Sequence, residues 1–276
     1  MKKLIRTTPN DRVPRRWFAR RRHGAAYSLR YGVVAIGLGA FMLLSAAAAW
    51  AIVARQDCPD SVLLELGKKF PAVGLVLPDG GCTLIAPKWV VTAAHVAASL
   101  TPEQSKIQFA NNKYLVKRVV LHPDAKIVPR TPPDVDIALV ELDQPPEGVV
   151  PIPILRVGDE LGKKIVIVGY GDIGNGRDVP KHTDGKRRAA TNIVTDAGPL
   201  RLFCKFDEPP EGTELEGVSG PGDSGGPALI EVEGKFYVAG VSSASTDGKP
   251  GRYGMTDIYT RVSTQAKWID QTVQGE

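Results

Sequence analysis

Apolar residues in most of this chain fall into short runs that are separated by turn-forming residues. The runs are rich in β-branched side chains and lie at 73–77, 106–109, 115–120, 137–142, 164–169 and 236–241. Twenty-nine glycines and 22 prolines supply the turns, and no long helical periodicity is visible after residue 60. Short strands bounded by turns are typical of barrels and sandwiches, so the pattern predicts an all-β protein.

One apolar run is much longer than the others. Residues 33–54 carry no charged side chain, and residues 1–30 before them are basic and polar. The pattern fits a secretory signal peptide, but about 20 apolar residues can also span a bilayer as an uncleaved anchor. Arg15-Arg16-Trp17-Phe18 suggests a twin-arginine signal as a further alternative.

Each of these alternatives keeps the basic end of the leader in the cytoplasm and exports the rest of the chain. We therefore expect a secreted or periplasmic protein, or one tethered to the outer face of the inner membrane by residues 33–54.

The chain has a net charge of +5, and the basic excess comes from the leader. Residues 1–51 hold ten Lys and Arg against one Asp, which leaves 25 basic and 29 acidic residues for the rest of the chain. A folded domain with a small acidic excess lacks the net positive charge that attracts nucleic-acid phosphates, so we predict no nucleic-acid partner.

A serine lies among glycines at residues 220–227, Gly-Pro-Gly-Asp-Ser-Gly-Gly-Pro. In a sharp turn, the Ser224 hydroxyl can project from the backbone while the Gly222 and Ser224 amides point at one spot beside it. A tetrahedral intermediate needs this arrangement, because its oxygen becomes negatively charged. The alternative is a plain Gly/Pro turn with an incidental serine.

Two further polar residues lie at the ends of apolar runs, one after a run and one before the next. His95 comes after the apolar run 84–91 and three small residues, and Asp136 stands at the head of the run 137–142. Each could be a structural residue, and Asp134 is the alternative to Asp136. A buried carboxylate needs hydrogen-bond donors, and an imidazole N–H is one. With Ser224 they supply a base, an orienting group and a nucleophile.

These segments, taken together, resemble a known enzyme family. Residues 92–95 (Thr-Ala-Ala-His), 136–139 (Asp-Ile-Ala-Leu) and 222–226 (Gly-Asp-Ser-Gly-Gly) match, in order, the motifs of the trypsin/chymotrypsin-like serine proteases. The resemblance runs from about Ile52 to the C-terminus and suggests a bacterial-type, exported member. It implies two antiparallel β-barrels with the active site between them, and a short C-terminal helix.

The resemblance also implies a domain organisation. The leader would be 1–51 and the protease domain 52–276. Within that domain we expect a first barrel at about 52–145, a second at about 155–262, and a C-terminal helix at about 263–274.

The implied activity is that of a serine endopeptidase acting through an acyl-enzyme, with His95, Asp136 and Ser224 as the triad and the Gly222 and Ser224 amides as the oxyanion hole. Peptides or proteins would be the substrates, and neither a cofactor nor a metal is expected. The alternatives are an esterase with the same triad and a binding protein with a decayed site.

The resemblance further suggests residues that contact substrate. A strand containing Ser243, Ala244 and Ser245 would pair with the substrate backbone. Val218 would form the floor of the specificity pocket beside Ser219. Asp257 would stand in the pocket wall, where it could pair with an arginine or lysine side chain.

Asp257 could instead point outward or pair with Arg252 or Arg261. In that case Val218 would favour aliphatic side chains.

An activation step is suggested by the end of the leader. Ala49-Trp50-Ala51 has the small-x-small form of a signal-peptidase site, and Ile52 and Val53 follow it. In the resembled family, the new α-amino group of such an isoleucine pairs with the aspartate before the nucleophile, which is Asp223 here. Alternatively, Ile52 is only the last turn of the apolar helix.

The chain has three cysteines, Cys58, Cys82 and Cys204. An odd count leaves at least one without an intramolecular partner. A Cys58–Cys204 bridge is possible, but Val96 follows the histidine where the resembled family usually has a bridging cysteine.

Overall fold

The structure is a computed structural model that describes residues 52–78, 80–128, 131, 133–178, 184–246 and 251–275. The predictions made for the leader, residues 1–51, lie outside the described residues. Within the described ranges, no helix has the length and apolar character needed to cross a membrane.

Fifteen strands, three α-helices and one 3₁₀-helix make up this part of the chain. The strands are β1 (Val53–Ala54), β2 (Val73–Val76), β3 (Gly81–Ala86), β4 (Trp89–Thr92), β5 (Lys106–Phe109), β6 (Asn112–Leu121), β7 (Ala138–Leu142), β8 (Lys164–Gly169), β9 (Arg188–Ile193), β10 (Asp196–Ala197), β11 (Arg201–Lys205), β12 (Gly217–Val218), β13 (Pro227–Val232), β14 (Lys235–Ser245) and β15 (Thr256–Arg261). The helices are α1 (Asp60–Lys68), α2 (Ala94–Ala97), the 3₁₀-helix Ser263–Gln265 and α3 (Ala266–Gln274).

The first half of the fold is a closed antiparallel barrel of six strands in the order β2-β3-β4-β7-β6-β5. Inward-facing side chains such as Val73, Leu84, Ile107 and Leu139 are fully or almost fully buried and fill its interior. Closure leaves no sheet edge unpaired, which is how a small all-β unit satisfies its backbone groups. The predicted first barrel is confirmed.

The second half is a seven-stranded antiparallel sheet in the order β10-β11-β15-β14-β13-β8-β9. Its core includes Ile165, Ile167, Ile230 and Tyr259, all fully or almost fully buried. This sheet forms a half-barrel, whereas the sequence suggested a second closed barrel. The prediction of an all-β fold is confirmed.

The C-terminal helix lies where the sequence placed it. A 3₁₀ turn leads directly into α3, which buries Ile269. The helix ends at Gly275, whose φ of 80° is left-handed and whose N–H bonds to the Gln271 carbonyl at 3.1 Å. Glycine adopts this conformation without a Cβ penalty.

Helix α1 was not predicted, because its nine residues give too short a periodic pattern. It lies against β9, where Gly67 is so close that a Cβ would come 2.5 Å from the Arg187 carbonyl oxygen. The buried Arg188 of β9 donates hydrogen bonds to Asp60 in α1 and to Asp184. The bond from Arg188 lowers the pKa of Asp184. The Arg188 guanidinium thus joins α1 to the second half of the fold, and Arg187 adds a hydrogen bond to the Gly67 carbonyl oxygen at 2.9 Å.

Candidate active site

The register of two strands brings His95 to Asp136. Strand β4 pairs antiparallel with β7 so that Thr92, at the end of β4, lies opposite Ala138, at the start of β7. Residues just after β4 and just before β7 must therefore meet. His95 Nδ1 lies 2.6 Å from Asp136 Oδ2, and the His95 backbone N–H donates to Oδ1 at 2.9 Å.

The Asp136 carboxylate is fully buried and well supplied with donors. Besides the two bonds from His95, the Ser243 hydroxyl donates to Oδ2 at 2.7 Å. Burial opposes ionisation, but the hydrogen bonds from His95 and Ser243 outweigh it and lower the pKa of Asp136. The His95 side chain is one-third exposed, so one edge of the imidazole is open to solvent.

Asp134, the alternative to Asp136, faces away from the imidazole. Its side chain is largely exposed and pairs with Arg201 at 3.1 Å. The geometry therefore brings Asp136, and not Asp134, to His95.

Ser224 follows a tight turn. The Asp223 N–H bonds to the Gly220 carbonyl at 3.1 Å, and Gly222 has a φ of 88°. Pro221 at the second position and a left-handed glycine at the third are the signature of a type II turn. In the described part of the chain, the Gly222 and Ser224 amides donate no hydrogen bond, whereas their neighbours Asp223 and Gly225 do.

The serine turn lies directly against the histidine segment. A Cβ on Gly225 would come 2.2 Å from Thr92 Oγ1 and 2.4 Å from the Gly81 carbonyl oxygen. The Gly81 N–H also donates to the Ser224 carbonyl at 2.7 Å. Among the residues described, no hydrogen bond joins the Ser224 hydroxyl to His95. Such bonds are often long before substrate binds.

Asp223 is buried behind the turn. Its carboxylate accepts the N–H groups of Gly171 at 2.7 Å and Gly220 at 2.8 Å. Burial raises the pKa of the Asp223 carboxyl well above its usual range. No Lys, Arg or His within the described ranges forms an ion pair with it.

Ile52 is completely buried, and Val53 pairs with Val218 in the short sheet of β1 and β12. The two predicted activation residues, Ile52 and Asp223, are thus both buried.

A cavity of about 220 Å³ opens beside Ser224. Its lining residues are Ser219, Gly220, Pro221, Ser224, Ser242, Ser243, Ala244, Ser245 and Asp257. All the predicted substrate-contacting residues except Val218 line this cavity. Val218 lies instead in a separate apolar cluster with Val53, Phe206 and Met255, so the structure does not bring it to the pocket floor.

Asp257 faces this cavity as an almost fully buried carboxylate. Its Oδ2 accepts the Ser219 N–H at 2.8 Å and the Tyr259 hydroxyl at 2.6 Å. Burial raises the pKa of Asp257 to about 6. The outward-pointing alternative is wrong, and Arg261 pairs with Glu160 at 2.6 Å rather than with Asp257.

Two hydrogen bonds to Asp136 in this site were not predicted from the sequence. Ser243 was expected only to contact substrate, yet it also donates to Asp136. The Thr260 hydroxyl bonds to the Asp136 carbonyl oxygen at 3.0 Å. A register shift between Ser242 and Ala244 leaves Ser243 as the bulged residue of β14. Bulges redirect single side chains in this way, and no local sequence signal marks this one.

The three cysteines are free thiols, so the Cys58–Cys204 bridge is absent. Cys82 and Cys204 are fully buried and Cys58 is partly buried. Within the ranges that the structure describes, no group of three or more His, Cys, Asp or Glu side chains could hold a metal ion.

Comparison with known proteins identifies the family. The family model described as Trypsin matches residues 68–269. The chain is 28% identical to the tryptase of Mus musculus over 225 residues, which are 70% of this chain and 78% of that protein. It is 30% identical to the complement C1s subcomponent of Rattus norvegicus over 239 residues, 71% of this chain and 32% of that protein.

The vitamin K-dependent protein C of Rattus norvegicus is 28% identical over 244 residues, 78% of this chain and 49% of that protein. The chain therefore spans about a third of C1s and half of protein C, but most of the tryptase. With the motifs and the fold, these matches show that the chain belongs to the trypsin family and is a serine endopeptidase.

Proposed function

We propose that this endopeptidase cleaves peptide bonds with Ser224 as nucleophile, His95 as general base and Asp136 as the group that orients the imidazole. Ser224 Oγ attacks the scissile carbonyl carbon as its proton passes to His95 Nε2. The tetrahedral intermediate collapses to an acyl-enzyme when His95 returns that proton to the leaving amine. Water then attacks the ester by the same route, and the acid is released.

The observation that carries the proposal is the 2.6 Å contact between His95 Nδ1 and the buried Asp136. A buried acceptor at Nδ1 favours the tautomer with its proton on that nitrogen, which leaves Nε2 free to accept a proton. The lowered pKa of Asp136 keeps this carboxylate charged, so it can stabilise the imidazolium that forms.

We assign the oxyanion hole to the Gly222 and Ser224 amides. Both are free of acceptors among the described residues, on a turn that is fixed at both ends by hydrogen bonds. Losing one such donor typically costs roughly 10²–10³ in rate.

We assign substrate binding to the cavity lined by Ser219 and Asp257 and to the strand carrying Ser243, Ala244 and Ser245. A substrate backbone would add to this strand, and its side chain on the acyl side would enter the cavity. The buried carboxylate of Asp257 favours a basic side chain there, since it has no cationic partner within the described residues.

We propose that the domain 52–276 becomes active when its leader is cleaved after Ala51. The Ile52 α-amino group would then pair with Asp223, which is buried and has no cationic partner among the residues that the structure describes. The leader would export the protein as a signal peptide, or hold it at the membrane as an anchor if it is not cleaved.

The test is reaction with a serine-directed fluorophosphonate, together with peptide and ester substrates. Labelling of Ser224 and cleavage of peptides are expected. An absence of labelling would reject the triad, and cleavage of esters alone would favour an esterase.

A further inference from the structure

A groove of about 570 Å³ lies between helix α1, the β5–β6 hairpin and the segment that leads into β9. Three cations line it, Lys68, Lys186 and Arg187, against one carboxylate, Glu65. The groove shares no lining residue with the cavity beside Ser224. It therefore presents a surplus of positive charge at a place that the triad does not use.

The guanidinium of Arg187 is held in this groove by neutral groups. Its Nε donates to the Gly67 carbonyl oxygen at 2.9 Å. Its Nη1 donates to the Val73 carbonyl oxygen at 3.2 Å and to the Tyr170 hydroxyl at 2.8 Å. Among the described residues no carboxylate pairs with Arg187, and its Nη2 donates no hydrogen bond. A partly buried cation without a counter-ion is costly, so an anion that enters the groove gains a favourable partner.

The two lysines of the groove have only weakly competing partners. Lys68 contacts Glu65 at 2.5 Å, and both side chains are largely exposed. Lys186 contacts Asp184 at 3.2 Å, but Asp184 is also bound by Arg188. Exposed ion pairs contribute little to stability, so both lysines can turn to another anion at small cost.

Strand order places the groove on the leaving-group side of Ser224. Ser224 lies just before β13, which has β14 on one side and β8 on the other. The acyl side of the substrate is assigned to the end of β14. On the opposite side, β8 ends at Gly169, which pairs with Arg188 of β9. The next residues beyond this pair are Tyr170 and Arg187, which line the groove. A substrate that crosses Ser224 from β14 therefore continues toward these two residues.

We propose that this groove binds an acidic segment of a protein substrate on the leaving-group side of the scissile bond, an inference that rests on the proposed peptidase function. Aspartate and glutamate side chains supply carboxylates for the Arg187 guanidinium and for the ammonium groups of Lys68 and Lys186. The volume of the groove is that of pockets that enclose whole small ligands, so it can hold more than one such side chain.

The first measurement compares kcat/KM for peptides that share the acyl side and the scissile bond. On the leaving-group side they carry a Glu-rich, a Gln-rich or a Lys-rich tail, joined by Gly-Ser spacers of increasing length. At low salt the best Glu-tailed peptide should exceed its Gln-tailed counterpart by about tenfold, mainly through KM, and the Lys-tailed peptide should be the poorest. Added salt should reduce this advantage, because it screens charges that lie near the surface.

Variants of the groove test where this advantage arises. Lys68→Gln combined with Lys186→Gln should reduce the ratio of Glu-tailed to Gln-tailed rates several-fold. The matched control combines Lys163→Gln with Lys205→Gln, two lysines in ion pairs outside the groove, and should leave the ratio unchanged. Arg187→Met should reduce the ratio further. Because Arg187 also holds α1, the double lysine variant decides the question even if Arg187→Met does not fold.

The second measurement separates binding from catalysis. A fluorescent Glu-rich peptide should bind to the Ser224→Ala protein, as fluorescence anisotropy would show, and bind more weakly when Lys68 and Lys186 are also glutamine. Equal rates for Glu and Gln tails at every spacer length, or an advantage that survives in the double lysine variant, would overturn the inference. Binding of a heparin fragment without any kinetic gain from the Glu tail would assign the groove to a polysaccharide and overturn it equally.

Failure of the proposed function would look different. Without fluorophosphonate labelling at Ser224 the triad assignment falls, whereas salt-sensitive binding of the Glu-rich peptide would still support the groove. Labelled, active enzyme that does not distinguish Glu from Gln tails would keep the triad and reject the groove.

Discussion

Ser243 donates its hydroxyl proton to Asp136 Oδ2 at 2.7 Å, and the same oxygen lies 2.6 Å from His95 Nδ1. One oxygen of a fully buried carboxylate therefore receives two side-chain donors, and the other receives the His95 backbone N–H. This set of donors keeps Asp136 ionised although no described Lys or Arg pairs with it, and it fixes the carboxylate relative to the imidazole.

We expect Ser243→Ala to lower kcat about tenfold, because the loss of one hydrogen bond to a charged, buried group costs about 1.5–3 kcal/mol and part of this applies to the imidazolium state. Steady-state kinetics would measure the change. Ser105→Ala, at a serine whose hydroxyl accepts the Thr101 N–H far from the triad, is the control and should keep normal kcat. A change confined to KM would assign Ser243 to substrate binding alone.

Ser224→Ala should reduce peptidase activity by at least about three orders of magnitude, because triad members act as a unit. Fluorophosphonate labelling should disappear while the circular dichroism spectrum stays unchanged. Undiminished labelling of the variant would mean that another serine is the nucleophile. His95→Ala should lose comparable activity for the same reason.

Gly225→Ala should destabilise the protein by about 2 kcal/mol or more and inactivate it. Its Cβ would come 2.2 Å from Thr92 Oγ1, so the serine turn and the histidine segment would have to separate. Gly234→Ala is a matched control, since Gly234 also has a left-handed φ, 75°, but nothing within 4 Å of an added Cβ.

Urea unfolding would give the loss in free energy of unfolding for each variant. Both variants place alanine at positive φ, so the additional loss in Gly225→Ala measures the effect of the close contact. If the two lost equal stability and both kept activity, the close contact at Gly225 would be unimportant.

A protein whose first residue is Ile52 should be active, and the same protein with one extra alanine in front should lose most of its activity. The reason is that the extension moves the α-amino group away from the buried Asp223. Because an α-amino group titrates near about 7.7–8.0 in model compounds, pairing should weaken in alkali. Full activity of the extended form, or of the chain with its leader intact, would exclude this activation mechanism.

The preference for a basic side chain on the acyl side should fall as the pH drops below about 6. Burial raises the pKa of Asp257 to about 6, so the carboxyl is neutral below this value and charged above it, and only the charged form attracts the ammonium. The ratio of kcat/KM for Lys and Leu peptides, measured from pH 5 to 8, reports this titration. Any pH effect on the catalytic groups shared by both substrates cancels in the ratio.

The titratable groups near Asp257 are Tyr259, Cys204 and Asp223. Burial raises the pKa of Tyr259 and of Cys204, so both stay protonated across this range. Asp223 interacts electrostatically with Asp257, so Asp257→Asn is the control. A flat ratio in the parent protein, or the same slope in Asp257→Asn, would contradict the prediction.

The sequence was most informative where function depends on local backbone chemistry. The glycines around Ser224 specify a turn, and apolar runs ending at His95 or beginning at Asp136 specify strand ends. These signals need only neighbouring residues. For this reason the barrel strands, the C-terminal helix and three residues of the candidate site could be predicted before any tertiary contact was known.

Tertiary structure decided what depends on partners distant in the sequence. Ser243 reaches Asp136 because a bulge in β14 redirects it, and Val218 turns into an apolar cluster because β12 pairs with β1. Asp257 faces the cavity because its carboxylate accepts the Ser219 N–H and the Tyr259 hydroxyl, which lie 38 and two residues away in the chain. A slip of one residue in strand register turns a side chain to the opposite face of the sheet. Burial then determines the free-energy cost of keeping that side chain charged. Strand register and burial are properties of the packed fold, so they cannot be predicted from the order of residues in the chain alone.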